Sequence, residues 1–157
     1  MGPNCLGFTN YIDRVAIGFA SARAIPQLPA SVSRAIGIVA QSGGLGGHLL
    51  LAFGAKNCPV SYMISTGNEM DVGLGDLILA LIEDKVTQII TVYAEAIRRP
   101  DLFLAAARQA RRRGKVIVML HSGRGERSRE AARSHTGALT GDYALMQTLV
   151  TEAGVIL

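Results

Sequence analysis

The sequence predicts a single α/β domain built on a doubly wound parallel sheet of about five strands. From about residue 35 onward, short apolar runs alternate with segments that have helical periodicity. Strands that alternate with helices are typical of a parallel sheet covered on both faces. The chain has 157 residues, of which 49% are apolar and 18% charged, so one domain with a buried core is expected.

Residues 1–34 precede this alternation and contain three of the five prolines, so they are predicted to form an extended lead-in segment. The remainder, 35–157, is predicted to be the sheet domain. Its first strand is Ala35–Ala40, which ends in a glycine turn. The helix after that turn is expected to bury one face, formed by Leu45, His48, Leu49 and Ala52.

The second strand is Val60–Ile64, and the helix that follows it carries apolar residues at the i, i+3, i+4, i+7, i+8 spacing: Leu74, Leu77, Ile78, Leu81 and Ile82. The third strand, Gln88–Ala94, is rich in β-branched residues. Pro100 suits the first turn of the next helix. The inner face of that helix is predicted to consist of Phe103, Ala106, Ala107 and Ala110.

Lys115–Leu120 is the fourth strand, and the polar, glycine-bearing stretch Ser122–Thr140 is predicted to be a long loop. A last helix, Asp142–Ala153, leads to a fifth strand at Val155–Leu157. One side of this helix carries Met146, Leu149, Val150 and Ala153. Because crossovers between parallel strands are right-handed, the leading topology is the flavodoxin-like strand order 2-1-3-4-5.

Composition argues against two classes of partner. Tryptophan is absent and only eight residues are Tyr or Phe, which leaves few platforms for stacking nucleic-acid bases. The net charge of +4 favours anionic partners without selecting one. The basic run that includes Arg111-Arg112-Arg113 has no nucleic-acid motif and is interpreted as a solvated helix end. Glycines and polar residues interrupt the longest uncharged stretch, Ala35–Ala55, so a membrane span is not expected. Two cysteines favour a reducing, cytoplasmic setting.

Polar residues concentrate where the predicted strands end. In doubly wound sheets, ligands bind beyond the carboxyl ends of the strands, where the strand order reverses. The first and third strands flank that point, so the glycine turn and Glu95 should be neighbours. The segments at this edge are Gln41–Gly44, Ser65–Glu69, Glu95 and His121–Arg124.

The turn Ser42-Gly43-Gly44-Leu45 opens a helix, where free backbone N–H groups and the helix dipole favour an anion. It is neither a Walker A loop nor a GxGxxG fingerprint. A tight strand-to-helix turn with Ser42 as the N-cap is an equally acceptable interpretation.

His135 lies in the polar loop and off any apolar face, so it is the leading candidate nucleophile. A neutral imidazole can attack phosphorus when an acceptor such as the Glu95 carboxylate holds its other nitrogen. An exposed loop histidine is the alternative. Glu95 is either functional or paired with Arg98 or Arg99, and both interpretations stay open. His48 is expected to be packed, and His121 to line the site or cap a strand.

Five motifs occur in order along the chain: Gly2-Pro3-Asn4-Cys5-Leu6-Gly7, Ser42-Gly43-Gly44-Leu45-Gly46, Gly67-Asn68-Glu69-Met70-Asp71, Tyr93-Ala94-Glu95 and Ser134-His135-Thr136-Gly137-Ala138-Leu139-Thr140-Gly141. Together they resemble the NDP-forming acyl-CoA synthetases, which are relatives of the succinyl-CoA synthetase α chain. The resemblance covers essentially the whole chain, and the Ser-His-Thr-Gly-Ala-Leu segment is its most specific part.

The resemblance implies that the chain is the flavodoxin-like second domain of such an enzyme. His135 is then the histidine that accepts phosphate and relays it between NTP and an acyl phosphate, and Glu95 is the glutamate that holds it. The residues implied to bind the phosphate are Ser42, Gly43, Gly44, Leu45, Thr136 and Gly137. Gly67 and Asn68 are implied to contact the substrate, and no residue is implied to be a metal ligand.

The resemblance also implies partners outside this chain. A CoA-binding Rossmann domain would bind CoA, and an ATP-grasp domain or subunit would bind ATP or GTP with Mg²⁺. No prosthetic group is implied. The substrate is implied to be a small carboxylic acid or acyl phosphate. The isolated domain is expected to be inactive. Two positions depart from the family pattern: His121 replaces an expected lysine and Ala96 an expected glycine. The alternative is a non-catalytic regulatory or acyl-sensing module, as in related protein acetyltransferases.

Overall fold

The computed structural model describes residues 1–19, 25–122 and 143–157, which form one mixed sheet with helices on both faces. The strands within those residues are β1 (Gly7–Asn10), β2 (Val15–Gly18), β3 (Ala35–Ala40), β4 (Val60–Ser65), β5 (Thr87–Ala94), β6 (Val116–His121) and β7 (Val155–Ile156). The helices are α1 (Gly43–Ala55), α2 (Leu74–Glu83), α3 (Pro100–Arg112) and α4 (Tyr143–Glu152). The strand order is β2-β1-β4-β3-β5-β6-β7.

The predicted flavodoxin-like order is confirmed for the parallel part of the sheet. Strands β4, β3, β5, β6 and β7 are neighbours in that sequence and all pair in parallel. The predicted count of five strands is wrong, because the described sheet has seven. The additional pair is the antiparallel hairpin β1–β2, in the segment expected to be an extended lead-in, and β1 also pairs antiparallel with β4.

Helices α2, α3 and α4 pack on one face of the sheet and enclose the main core. The inner face predicted for α3 is confirmed, because Phe103, Ala106, Ala107 and Ala110 are all buried. Four of the five residues predicted for α2 are buried, and Leu77 is half-buried against the core. These helices cover alternate residues of the strands, including Val39, Val92 and Ile117.

Helix α1 packs alone on the opposite face, over β3 and β4. The face predicted for it is wrong, since His48 and Ala52 are exposed and Gly46 is its only buried residue. A Cβ on Gly46 would lie 3.0 Å from the Met63 Cε atom and 3.2 Å from the Ala40 Cβ atom. The helix therefore approaches the sheet through a glycine, which a search for large apolar residues cannot identify. No helix in the described residues has the length and apolar character needed to cross a membrane.

Within the described residues, the expectation that helices cover both faces is not met at β6. Its residues alternate between buried and exposed, and Val116, Val118 and Leu120 are 40%, 37% and 56% exposed. Leu120 is in register with Tyr93, which is in register with Ala40 beneath α1, so these side chains lie on the α1 side. Helix α1 covers β3 and β4 and leaves this apolar strip open.

Candidate functional site

The carboxyl ends of β3, β4 and β5 meet at one edge of the sheet, as the sequence predicts. The Gln41 N–H donates to the Tyr93 carbonyl at 3.1 Å, and the Thr66 N–H donates to the Ala40 carbonyl at 2.9 Å. The glycine turn after β3, the Gly67–Asn68 turn after β4 and Glu95 after β5 are therefore neighbours. This arrangement supplies the strand-order reversal at which doubly wound sheets bind ligands.

The glycine turn forms the N-terminus of α1, and Ser42 is its N-cap. The Ser42 Oγ atom accepts a hydrogen bond from the Leu45 N–H at 3.3 Å, so this amide is satisfied within the turn. The first N–H groups of a helix have no partner in the helix, and the N–H groups of Gly43 and Gly44 occupy those positions. The first turn contains no acidic residue. The interpretation of Ser42 as the N-cap is therefore confirmed, and anion binding by the N–H groups of this turn stays a prediction.

One wall of this turn comes from a residue that the sequence reasoning did not place in the site. The Leu6 side chain packs directly against Gly43, so closely that a Cβ on Gly43 would overlap it. The Leu6 N–H donates to the Ser65 Oγ atom at 3.2 Å, which fixes Leu6 beside the end of β4. The sequence signal for Leu6 was its place in the motif Gly2-Pro3-Asn4-Cys5-Leu6-Gly7. A place in a motif does not tell where the side chain lies in the fold.

The turn after β4 is bound to the N-terminal segment through its backbone. Gly67 has a φ of 62°, and a Cβ there would overlap the carbonyl oxygens of Pro3 and Asn4. The Asn68 N–H donates to the Pro3 carbonyl at 2.9 Å, and the Met70 N–H donates to the Gly2 carbonyl at 2.9 Å. Gly67 and Asn68, predicted to contact substrate, therefore also attach the first residues of the chain to the site.

Glu95 is buried at the end of β5, with 8% of its surface exposed. Its Oε2 atom has no hydrogen-bond partner among the residues that the structure describes. Burial, followed by the nearby Glu95 charge, raises the pKa of the Tyr93 hydroxyl. A buried carboxylate oxygen without a donor is costly, so such a group requires explanation.

The arginines proposed as alternative partners of Glu95 make other interactions. Arg99 forms an ion pair with Asp76 and donates to the Asp71 carbonyl. The charge of Arg98 acts on Glu69, where it lowers a pKa that burial raises. Neither arginine forms an ion pair with Glu95 within the described residues.

The two histidines that the structure describes have distinct settings. His121 ends β6 in register with Ala94, and its ring lies 5.8 Å from that of Tyr143, at an angle of 58°. Burial lowers the pKa of His121. His48 was expected to be packed and is instead exposed, and its Nδ1 atom lies 2.8 Å from the Gly44 carbonyl.

Three predicted site residues, His135, Thr136 and Gly137, lie outside the described residues. Their predicted roles therefore stay predictions. Among the residues with described positions, no group of three or more His, Cys, Asp or Glu side chains is arranged to hold a metal ion.

Comparison with known proteins identifies relatives along the whole chain. The succinyl-CoA ligase like flavodoxin domain family matches residues 33–157. A trans-feruloyl-CoA synthase from an unknown prokaryotic organism is 46% identical over 99% of the chain, and an ADP-forming acetate–CoA ligase from Methanocaldococcus jannaschii is 31% identical over 99%. The chain spans only about a fifth of these curated relatives, 22% and 21% of their lengths.

A solved structure shares both fold and sequence with this chain. It is the Candidatus Korarchaeum cryptofilum dinucleotide forming acetyl-coenzyme A synthetase 1 in complex with phosphate and ADP. The two are 28% identical with a TM-score of 0.82, and the match covers 99% of this chain and 32% of that one. The apo form of the same protein matches with a TM-score of 0.80.

Proposed function

The chain belongs to the succinyl-CoA ligase like flavodoxin domain family, and from this premise we propose that it carries the phosphate-accepting histidine of an NDP-forming acyl-CoA synthetase. In this proposal His135 accepts a phosphoryl group, Glu95 holds the imidazole, and the amides at the start of α1 receive the phosphate. The proposed enzyme is an acid–thiol ligase, and this chain is one of its domains.

The proposed reaction has three balanced steps. A nitrogen of His135 attacks the γ-phosphorus of NTP, a P–N bond forms, and NDP leaves with its oxygen. A carboxylate oxygen of the acid then attacks the same phosphorus, so the P–N bond breaks and an acyl phosphate forms. Finally the CoA sulfur attacks the acyl carbon, inorganic phosphate leaves, the thiol proton is released, and the thioester remains.

The single observation that carries the proposal is the buried and unpartnered Oε2 atom of Glu95. A phosphorylated imidazole carries positive charge on the ring and retains an N–H on its other nitrogen. A buried carboxylate is the acceptor that would stabilise both, because charge-assisted hydrogen bonds are the strong ones. The same atom would be a net cost in a domain whose role was only structural.

The charge distribution at the start of α1 supports the same role. The N–H groups of Gly43 and Gly44 are uncharged donors at the positive end of a helix dipole, with no acidic residue in the first turn. Donors fixed before the reaction stabilise developing phosphoryl charge without reorganisation.

The remaining substrates require other parts of the protein. We propose that a CoA-binding Rossmann domain and an ATP-grasp domain or subunit supply the sites for CoA and for ATP or GTP with Mg²⁺. The lengths of the relatives support this. The matched segment covers 32% of an acetate–CoA ligase α subunit and 22% of the feruloyl-CoA synthase, so these proteins are between three and five times as long as the segment.

For the acid we propose an aromatic, hydroxycinnamate-type substrate. The feruloyl-CoA synthase is 46% identical to this chain, whereas the relatives named for acetate or 4-hydroxybutyrate are 26–31% identical. Steady-state turnover of the complete protein with ferulate, 4-hydroxybutyrate and acetate tests this. A kcat/KM highest for ferulate is expected, and equal or higher values for acetate would contradict the aromatic assignment.

The relay itself is tested by phosphoryl labelling of the complete protein that contains this chain. With γ-labelled NTP and Mg²⁺, we expect a base-stable, acid-labile label on His135 that the acid substrate discharges. His135→Asn should abolish the label, whereas the matched variant His48→Asn, at an exposed helix position, should retain it. A label that persists in His135→Asn would contradict the proposal, and an intact ligand response without any label would favour the regulatory alternative.

A further inference from the structure

The side chain of Gln41, directly before the glycine turn, binds the backbone around Glu95. Its Oε1 atom accepts from the N–H groups of Glu95 at 2.6 Å and of Ala96 at 3.1 Å, and its Nε2 atom donates to the Ala96 carbonyl at 2.7 Å. Two backbone donors and one backbone acceptor fix the orientation of the amide, because only the carbonyl oxygen can accept from an N–H. Gln41 is 8% exposed, so water does not compete for these bonds.

The same amide also faces the turn after β4. Burial raises the pKa of the Glu69 carboxyl and the nearby Gln41 side chain lowers it, and Glu69 accepts a hydrogen bond from the Thr66 hydroxyl at 2.8 Å. The Gln41 side chain thus joins the segments that follow β3 and β5, and it lies beside the turn that follows β4.

This connection matters because the Glu95 carboxylate has little support of its own. Its Oε2 atom has no donor in the described part of the chain, so the hydrogen bond from the Glu95 N–H to Gln41 is the side-chain contact that holds this residue in place. We propose that Gln41 is the positioning residue that holds Glu95 in the orientation needed to accept the histidine N–H during phosphoryl transfer. This inference rests on the function proposed above and assigns a role to a residue that the motifs left without one.

Two substitutions separate this role from a general contribution to folding. Gln41→Met keeps the approximate length and removes every hydrogen bond. Gln41→Glu keeps an acceptor, and when protonated it also keeps a donor for the Ala96 carbonyl. The ionisable groups near this position are Glu69, Glu95 and Arg98. Gln88→Met is the matched control. Gln88 lies at the other end of β5 from Glu95, and its amide makes an exposed hydrogen bond to the Lys85 carbonyl.

The experiment measures the rate constant for His135 phosphorylation, and the KM for NTP, by rapid quench on the complete protein. We expect Gln41→Met to lower the rate constant by up to about 100-fold, the effect of a small misplacement, while the KM for NTP changes less than about twofold. Gln88→Met should match the wild type. Gln41→Glu should recover rate, relative to the wild type, when the pH is lowered from 8 to 6, because protonation restores the donor.

Each outcome decides the matter. A folded Gln41→Met variant that is phosphorylated within about twofold of the wild-type rate would overturn the positioning role. If Gln41→Met fails to fold, Gln41→Glu decides, and a rate relative to wild type that is independent of pH would overturn it. If the wild type itself takes no label on His135, the proposed function fails and this inference fails with it.

Discussion

Gly67 is a position where a single added methyl group is expected to destabilise the fold strongly. Its φ of 62° lies in the left-handed region, and a Cβ would overlap the carbonyl oxygens of Pro3 and Asn4. The left-handed conformation costs a residue with a Cβ about 1–2 kcal/mol, and forcing a methyl group into a packed contact costs about 1–3 kcal/mol more. Gly67→Ala should therefore lower the free energy of unfolding by about 2–5 kcal/mol.

The matched control is Gly47→Ala, in the middle of α1, where a Cβ would meet no atom within 4 Å. Alanine favours a helix over glycine by about 1 kcal/mol, so this variant should be more stable than the wild type. Urea denaturation gives both free energies. Hydrogen exchange gives the local effect, because the Asn68 and Met70 amides donate to Pro3 and Gly2 and should lose protection in Gly67→Ala. Equal stability of the two variants would refute the assignment of backbone strain and overlap at Gly67.

Two further predictions concern buried charged or ionisable groups. Lys115→Met should reduce the free energy of unfolding by about 1–3 kcal/mol in denaturation experiments, because the Lys115 ammonium donates to the carbonyls of Leu81 and Asp84 at the end of α2. The control Lys56→Met, at an exposed position, should change it by less than about 0.5 kcal/mol. An equal loss of stability in the two variants would contradict this role of Lys115. Burial lowers the pKa of His121, so the unfolded chain binds the proton more readily and stability should fall as the pH drops below 6.5. His121→Leu should show a weaker decline between pH 7.5 and 5 when its unfolding free energy is measured, and a parallel decline would argue against burial as the cause.

The predictions from sequence succeeded where chemical contrast along an element was strong. In α3, Phe103 and three alanines alternate with charged residues, so the periodicity identified the buried face correctly. In α1 nearly every residue is apolar or glycine, so no face stands out, and the contact made through Gly46 was missed. Strands β1 and β2 were missed because each has only four residues, none of them buried.

The site divides in the same way. The expectation that the glycine turn and Glu95 are neighbours was correct, because it depends only on the strand order and on the point where that order reverses. The contribution of Gln41 depends on the reach of one side chain across to β5, and that of Leu6 on the path of the N-terminal segment. Neither contact is encoded in residue type or spacing, so the sequence could place Gln41 at the sheet edge but could not assign either residue its contact.

The hairpin β1–β2 has a practical consequence for anyone who wishes to express this domain. The family match starts at residue 33, which invites a truncated chain beginning there. Such a protein would lose Leu6 from the wall of the glycine turn and would expose the edge of β4 at residues 62–64, now paired with β1. Bare sheet edges template association with other chains, so the shortened protein should oligomerise or precipitate more readily than one that retains the first residues and keeps β4 paired with β1.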